Sequence, residues 1–240
     1  MSTILFSASA VVRQLLFFKQ FVKKADVLAD TRFSCRWKDR WPCLNDATAT
    51  TGFDAHYLYH PAWAVRRILG IKPEKHIDIG SKLDFVAMLS AFLPVEFYDY
   101  RPADISLSGL HCCHADLISL PFESSSIESL SCMHVIEHIG LERYGDPFDP
   151  QGDLKAMREL IRVLAPGGHL YFVVPLGEIA RIQYNAHRIY TYEQVLFAFN
   201  ALLLEDFSFI TDKGQFIERA NAEVVVGSKY GCGCFQFRKE

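Results

Sequence analysis

A chain of 240 residues, half of them hydrophobic, can bury a substantial core in one large domain, or in a domain with a sizeable cap, and needs no covalent staples. A formal charge of −3 and a pI near 6.3 give no general attraction for polyanions, so nucleic acid is not an expected partner and small-molecule chemistry is favoured. The seven cysteines are odd in number and several fall in apolar runs, which points to a reducing compartment with a cytoplasmic location as the default.

At the start of the chain, Ile4 to Val12 is apolar but spans roughly half a bilayer, lacks a basic lead and stops at Arg13, so neither a leader nor stable membrane insertion is expected. From there Val11, Leu15, Phe18 and Val22 recur at helical spacing opposite Arg13, Gln14, Gln20, Lys23 and Lys24. This amphipathic helix suits packing on the main domain or on a second subunit, so a homo-oligomer stays open. Residues 30 to 60 carry Trp37, Trp41, Phe53, His56, Tyr57 and Tyr59, too aromatic for a linker, and are expected to form a lid whose Asp54, His56, Tyr57 and Tyr59 face a bound molecule. The sequence thus divides into an N-terminal helix and aromatic lid, 1–60, and a main domain, 61–240.

Pro61 suits the first position of a helix over PAWAVRRIL. HIDIG then predicts a strand, KLDFVAMLSAFL a helix, and VEFYDY, GLHCCHA and IESLSCMHV three more strands. DPQGDLKAMRELIRVL reads as a helix with Asp149 as N-cap, stopped by Pro166-Gly167-Gly168 ahead of the strand HLYFVVP. Thr191 and Gln194 have capping-box spacing at the head of YEQVLFAFN, and the remainder is strand-rich with no further helix. Strands alternating with helices predict an α/β, Rossmann-like doubly wound, mostly parallel sheet, with an antiparallel C-terminal hairpin added at one edge.

Ligands in such sheets sit beyond the carboxyl ends of the central strands. The first strand ends Asp78-Ile79-Gly80-Ser81, where glycine permits close backbone approach ahead of a helix N-terminus. The second ends Asp99-Tyr100, about twenty residues on, where an acid meets ribose hydroxyls. Asp116-Leu117 follows the third strand, and His134, Glu137 and His138 follow the fourth. A glycine-rich nucleotide loop would place further glycines at 82 and 84, yet Lys82 and Asp84 stand there. Three readings follow: a nicotinamide site, which the missing glycines disfavour because a pyrophosphate needs close backbone approach; a cofactor without a pyrophosphate; or a non-catalytic scaffold in which cofactor binding has been lost.

The series resembles the class I S-adenosylmethionine-dependent methyltransferases over residues 75 to 175, most closely in HADLISLPFESSSIESLSCMHVIEHI and PGGHLYFVVP. It looks closest to an uncharacterised bacterial subgroup with a DIGS motif and similar RYGDPFDPQGDLKAM and NAHRIY runs. The resemblance implies a seven-stranded sheet and S-adenosylmethionine as cofactor. Asp78 and Gly80 would line the methionine end, Asp99 would hold the ribose, Asp116 would reach the adenine amino group and Leu117 would pack on the ring. Ser81, Tyr100 and His134 complete the expected cofactor set. Methyl transfer needs alignment and, for a hydroxyl on a sugar or metabolite, a base near neutrality. His138 and His187 are the candidate bases and Glu137 an orienting carboxylate. No metal is expected, since Cys112-Cys113 and Cys232-Gly-Cys234 lack the C-x-x-C separation and Asp146, Asp149 and Asp153 suit Asp-Pro turns.

Overall fold

The computed structural model describes residues 8–24, 32–41, 43 and 45–240. Pro42, the beginning of the run from Ile4, and the side chains of Val11 and Lys24 lie outside the described residues. By compactness the chain falls into two units, residues 1–52 and 53–240. In the first, helix α1 (Ala8–Lys24) carries a stripe at spacing four, Gln14 buried and Phe18 and Val22 half-buried, while Leu15 is exposed. Phe18 and Val22 thus keep the expected face, and Gln14 rather than Leu15 continues it. Phe18 meets Trp37 edge-on at 5.2 Å, and Arg13 donates to Asn45 Oδ1 at 2.7 Å.

The second unit begins with helix α2 (Ala55–Ile71), whose N-cap Asp54 accepts from the Tyr57 amide. Pro61 lies inside this helix, so it does not begin one, and residue 60 is no boundary. The capping carboxylate at Asp54 sets the start earlier than Pro61 suggested. Strands β1 (His76–Ile79), β2 (Val95–Asp99), β3 (Leu110–His114), β4 (Ile127–Met133) and β5 (Leu164–Leu176) pair in parallel, in the spatial order 3-2-1-4-5. Helix α3 (Leu83–Leu89) follows β1, and α4 (Gly152–Val163) precedes β5. β10 (Gly231–Arg238) lies antiparallel between β5 and β8 (Leu203–Ile210), and the two-residue β9 (Phe216–Ile217) closes an eight-stranded sheet. The C-terminal hairpin thus joins the parallel strands through its second strand. A separate ribbon pairs β6 (Arg181–Gln183) with β7 (His187–Ile189), ahead of helix α5 (Tyr192–Ala198), which opens on the Thr191–Gln194 capping box.

The sheet is covered on both faces, which is why β1 reads as a continuous buried run. Ile77, Ile79, Leu130 and Phe172 pack toward α4 and α5, with Met157, Leu160 and Phe199. Met133, Tyr171, Cys232 and Cys234 pack toward α2 and α3, with Trp63, Ile68, Phe85 and Leu89. Asp149 does not cap α4; the N-cap is Gln151, because the Asp149 carboxylate is engaged by the Gln151 amide and the Lys155 ammonium just before the helix. Pro166-Gly167-Gly168 lies within β5, near a register break against β4 between Ile127 and Ser129, with Gly167 at φ 78°. The turn is absorbed as an irregularity because β5 begins directly from α4.

Candidate active site

The carboxyl ends of β1 to β4 open onto a cavity of about 280 Å³, at the small end of small-molecule clefts. Gly80 forms its back wall with φ 69°, a conformation that favours glycine, and a Cβ added there would lie 3.1 Å from a Val135 methyl. Asp99 lines the cavity next to Gly80. Its Oδ1 accepts from the Arg101 amide at 2.7 Å, which holds the carboxylate in place at the end of β2. Asp116 does the same after β3, accepting from the Ile118 amide at 3.1 Å, and Tyr100 and the mostly buried Leu117 add apolar lining.

Lys82 and Asp84 are absent from the lining. They pair with each other at 3.1 Å on the exposed flank, where Lys82 sits over the Tyr57 ring. Side chains at the two non-glycine positions therefore take up none of the cavity. Asp78 is also withdrawn from it, with no exposed surface. Its Oδ1 accepts from the Ser81 amide at 3.0 Å, and its Oδ2 accepts a short bond from Ser131 Oγ. Ser131 in turn meets His76 Nε2 at 2.8 Å, and His76 Nδ1 meets Ser129 Oγ at 2.7 Å. With Ser131 donating to Asp78, the imidazole donates through Nε2, and because burial keeps the ring neutral its Nδ1 accepts from Ser129. Burial pushes the Asp78 carboxyl up to about 6 and the His76 imidazole down to about 3. Asp78 and Ser81 thus brace the β1–β4 seam, Ser81 Oγ accepting from the Met133 amide at 3.1 Å.

The other side of the cavity is histidine-rich. His134 follows β4 with φ 56°, and its Nδ1–H donates to Glu137 Oε1 at 2.8 Å, which leaves Nε2 as a lone pair 3.3 Å from Cys232 Sγ on β10. His56, Tyr57 and His60, from the first turns of α2, pack on the His134 ring with centroids 5.8, 5.3 and 5.0 Å away. His138 lines the cavity and its Nδ1 lies 2.8 Å from the Ala186 carbonyl. That oxygen can only accept, so Nδ1 carries the proton and Arg143, 3.1 Å from Nδ1, donates to the Ala186 carbonyl instead. Nε2 of His138 is left as the basic nitrogen. His187 stacks on Tyr230 at 5.3 Å and meets His138 edge-on at 6.0 Å. Burial lowers the pKa of His138 and His187, and lowers that of His56 to about 4, so these rings are neutral near pH 7.

The structure therefore gathers Gly80, Asp99, Tyr100, Asp116, Leu117, His134 and His138 around one cavity, places Glu137 and His187 beside it, and sets Asp78 and Ser81 beneath it. Of the expected lid residues, His56 and Tyr57 reach the histidine group, Asp54 caps α2, and Tyr59 stacks on Phe216 at 5.3 Å. Sequence reasoning missed Cys232 and His60. Cys232 meets His134 from 98 positions away, and no local motif announces such a convergence. Asp146, Asp149 and Asp153 are consumed separately, by the Gly140 amide, by Lys155 and the Gln151 amide, and by the Tyr190 hydroxyl.

The family profile of a Caenorhabditis protein of unknown function, DUF268, matches residues 122–226, a span holding His134, Glu137, His138 and His187 but not β1 to β3 or β10. Among curated proteins no sequence matches this chain. Solved structures similar in fold include the N-methyltransferase NodS from Bradyrhizobium japonicum in complex with S-adenosyl-L-homocysteine (16% identity, TM-score 0.51, 75% of this chain and 85% of that one). A second is the Burkholderia thailandensis 1,6-didemethyltoxoflavin-N1-methyltransferase with 1,6-didemethyltoxoflavin and S-adenosylhomocysteine (10% identity, TM-score 0.55, 100% and 94%). The [4+2]-cyclase SpnF is a third (14% identity, TM-score 0.54, 75% and 80%). With its parallel strands, its inserted antiparallel strand and these likenesses, the chain has the Rossmann-like fold of class I methyltransferases.

Proposed function

We propose that this chain binds S-adenosylmethionine in the cavity above β1 to β4 and directs its methyl group to a small-molecule acceptor, an oxygen on a sugar or metabolite. The observation that carries this reading is the Gly80 wall, at φ 69° and with a Val135 methyl 3.1 Å from where a Cβ would stand, flanked by two carboxylates fixed at the ends of β2 and β3. Those features fit the cofactor: the bare backbone at Gly80 admits its methionine end, Asp99 Oδ2 is free to accept from ribose hydroxyls, and Asp116 and Leu117 suit an amino-bearing ring. When bound, S-adenosylmethionine supplies a methyl group already activated by the charge on sulfur. The chain's part is to align and desolvate an acceptor against it. His138, neutral and lining the same cavity, takes the acceptor proton on Nε2, which lies 3.9 Å from Glu137 Oε1, and the Ala186 carbonyl keeps the imidazole in the tautomer that leaves Nε2 basic.

Thermal unfolding with and without S-adenosylhomocysteine tests the reading. Ligand at a hundred times its Kd adds about 2.7 kcal/mol of stability. Asp99→Ala is expected to weaken binding by about 10- to 100-fold, the worth of a hydrogen bond to a charged group. Absence of any shift at millimolar ligand would leave a scaffold on a methyltransferase fold.

A further inference from the structure

Around His134, which lines the cavity, three soft or borderline donors converge from elements far apart in the chain. His56 comes from the first turn of α2, His134 from the end of β4 and Cys232 from the start of β10, with one ligand atom of each within 4.8 Å of the others. The Cys232 Sγ to His134 Nε2 separation is 3.3 Å, close to the edge of about 3.5 Å that one imidazole and one thiolate span on a tetrahedral zinc with ordinary bond lengths. The Glu137 carboxylate holds the proton on His134 Nδ1, so Nε2 presents its lone pair inward. Histidine ligands are ordinarily oriented by such a carboxylate on the far ring nitrogen.

Two further observations point to a missing electrophile. Glu137 Oε2, His60 Nε2 and His187 Nε2 are buried with no hydrogen-bond partner. His60 Nδ1 donates to the His56 carbonyl at 2.6 Å, so its orphaned Nε2 can only accept, and Glu137 is 1% exposed. Glu137 Oε2 and His60 Nε2, on two residues that adjoin the His134 ring, are thus buried acceptors without donors, which signals an absent cation or donor. His134 also stands in the left-handed region, which costs a non-glycine residue about 1 kcal/mol or more and is held where the surroundings demand it.

We propose that His56, His134 and Cys232 form a binding site for a zinc-class divalent cation, with Glu137 as the orienting carboxylate and a fourth position open toward the cavity. Two imidazoles and one thiolate are donors that zinc takes, and three-ligand sites keep a place for water or a substrate oxygen. His134 itself lines the cavity, so a cation held there borders the space where an acceptor would sit. On binding, the Cys232 S–H proton, which otherwise faces His134 Nε2, leaves to solvent and the cation accepts the sulfur and nitrogen lone pairs. The site stands on these residues alone, whether or not the cavity takes S-adenosylmethionine.

The 240-residue chain, stripped with chelator and dialysed, is titrated with zinc and separately with cobalt(II). Elemental analysis reads stoichiometry and the sulfur-to-cobalt charge-transfer band reads thiolate ligation. One equivalent of either metal is expected. Cys232→Ser abolishes the band, His56→Ala weakens binding at least tenfold, and Glu137→Gln weakens it about 10- to 100-fold. His134→Asn keeps a residue that tolerates the left-handed backbone while removing the imidazole, so loss of metal with an unchanged circular-dichroism spectrum separates ligation from folding. Cys43→Ser, an exposed thiol in the N-terminal unit, leaves uptake unchanged. No uptake by the unmodified chain at micromolar zinc overturns the proposal. So does uptake whose band survives both Cys232→Ser and His134→Asn at full strength, since the metal then sits on other cysteines.

Discussion

The two sides of the cavity are built on different plans. On the β1 to β3 side, each functional position is a short local unit: a glycine at a strand end, or an acid whose carboxylate is pinned by an amide two residues on. On the other side, His134 depends on Glu137 three residues away, but also on α2 and on a strand 98 positions distant. A site made of local units tolerates change outside it. A site made by convergence depends on several elements docking together, and it places groups with lone pairs where a backbone-lined pocket has none.

The comparison is tested most severely at His138. Its replacement by Asn is expected to lower turnover by about 10²- to 10⁴-fold while binding of S-adenosylhomocysteine, on the other side, is retained. Because burial holds the His138 pKa below its ordinary value, the rate should rise with pH through a step lying below pH 6.5 and stay level above it. A rate that survives the substitution would move the base to His187 or dispense with one.

Asp78 lies beneath both sides, and its effect should be on folding. Its pKa is 3.8 in the unfolded chain and about 6 when folded, so the folded state binds the extra proton in that interval and wild-type stability falls as pH rises through it. Asp78→Asn keeps an acceptor for the Ser81 amide and is uncharged. Relative to wild type it should gain up to about 3 kcal/mol between pH 4 and pH 7, read by urea unfolding at each pH, with the His76 contribution common to both proteins. An equal difference at both pH values would mean that the carboxylate is solvated.

The smallest effect is expected at Lys82. Lys82→Gly restores the glycine pattern, yet the Lys82 side chain lies on the exposed flank, so the Kd for S-adenosylhomocysteine should change by less than about twofold, well inside the 1.4 kcal/mol of a tenfold change. A large gain in affinity would show that the lysine narrows the turn after all.

The legibility of the sequence divides along the same line. Period-two and helical patterns placed β1 to β5, α3 and α5, and strand-end position alone put Gly80, Asp99 and Asp116 on the cavity, because those signals are carried within a few residues. Asp78 looked like its neighbours in sequence, but its side chain points to the α2 and α3 face, where Ser131 and Ser81 hold it. The start of α2 was misplaced because Pro61 is a strong local sign, while the cap that decides the matter is Asp54. Cys232 read as an ordinary buried thiol in a strand, and nothing within its own strand shows that His134 and His56 face it.

The position of β10 bears on how the protein is made. This strand fills the gap between β5 and β8, yet it is translated after both. Until Gly231–Arg238 leaves the ribosome, β5 carries a free edge along Leu170–Leu176, a segment buried throughout in the finished sheet. Such an edge recruits strands from other chains. Translation halted ahead of Gly231 would therefore yield a self-associating product rather than a soluble inactive one, and would lack the sulfur that faces His134.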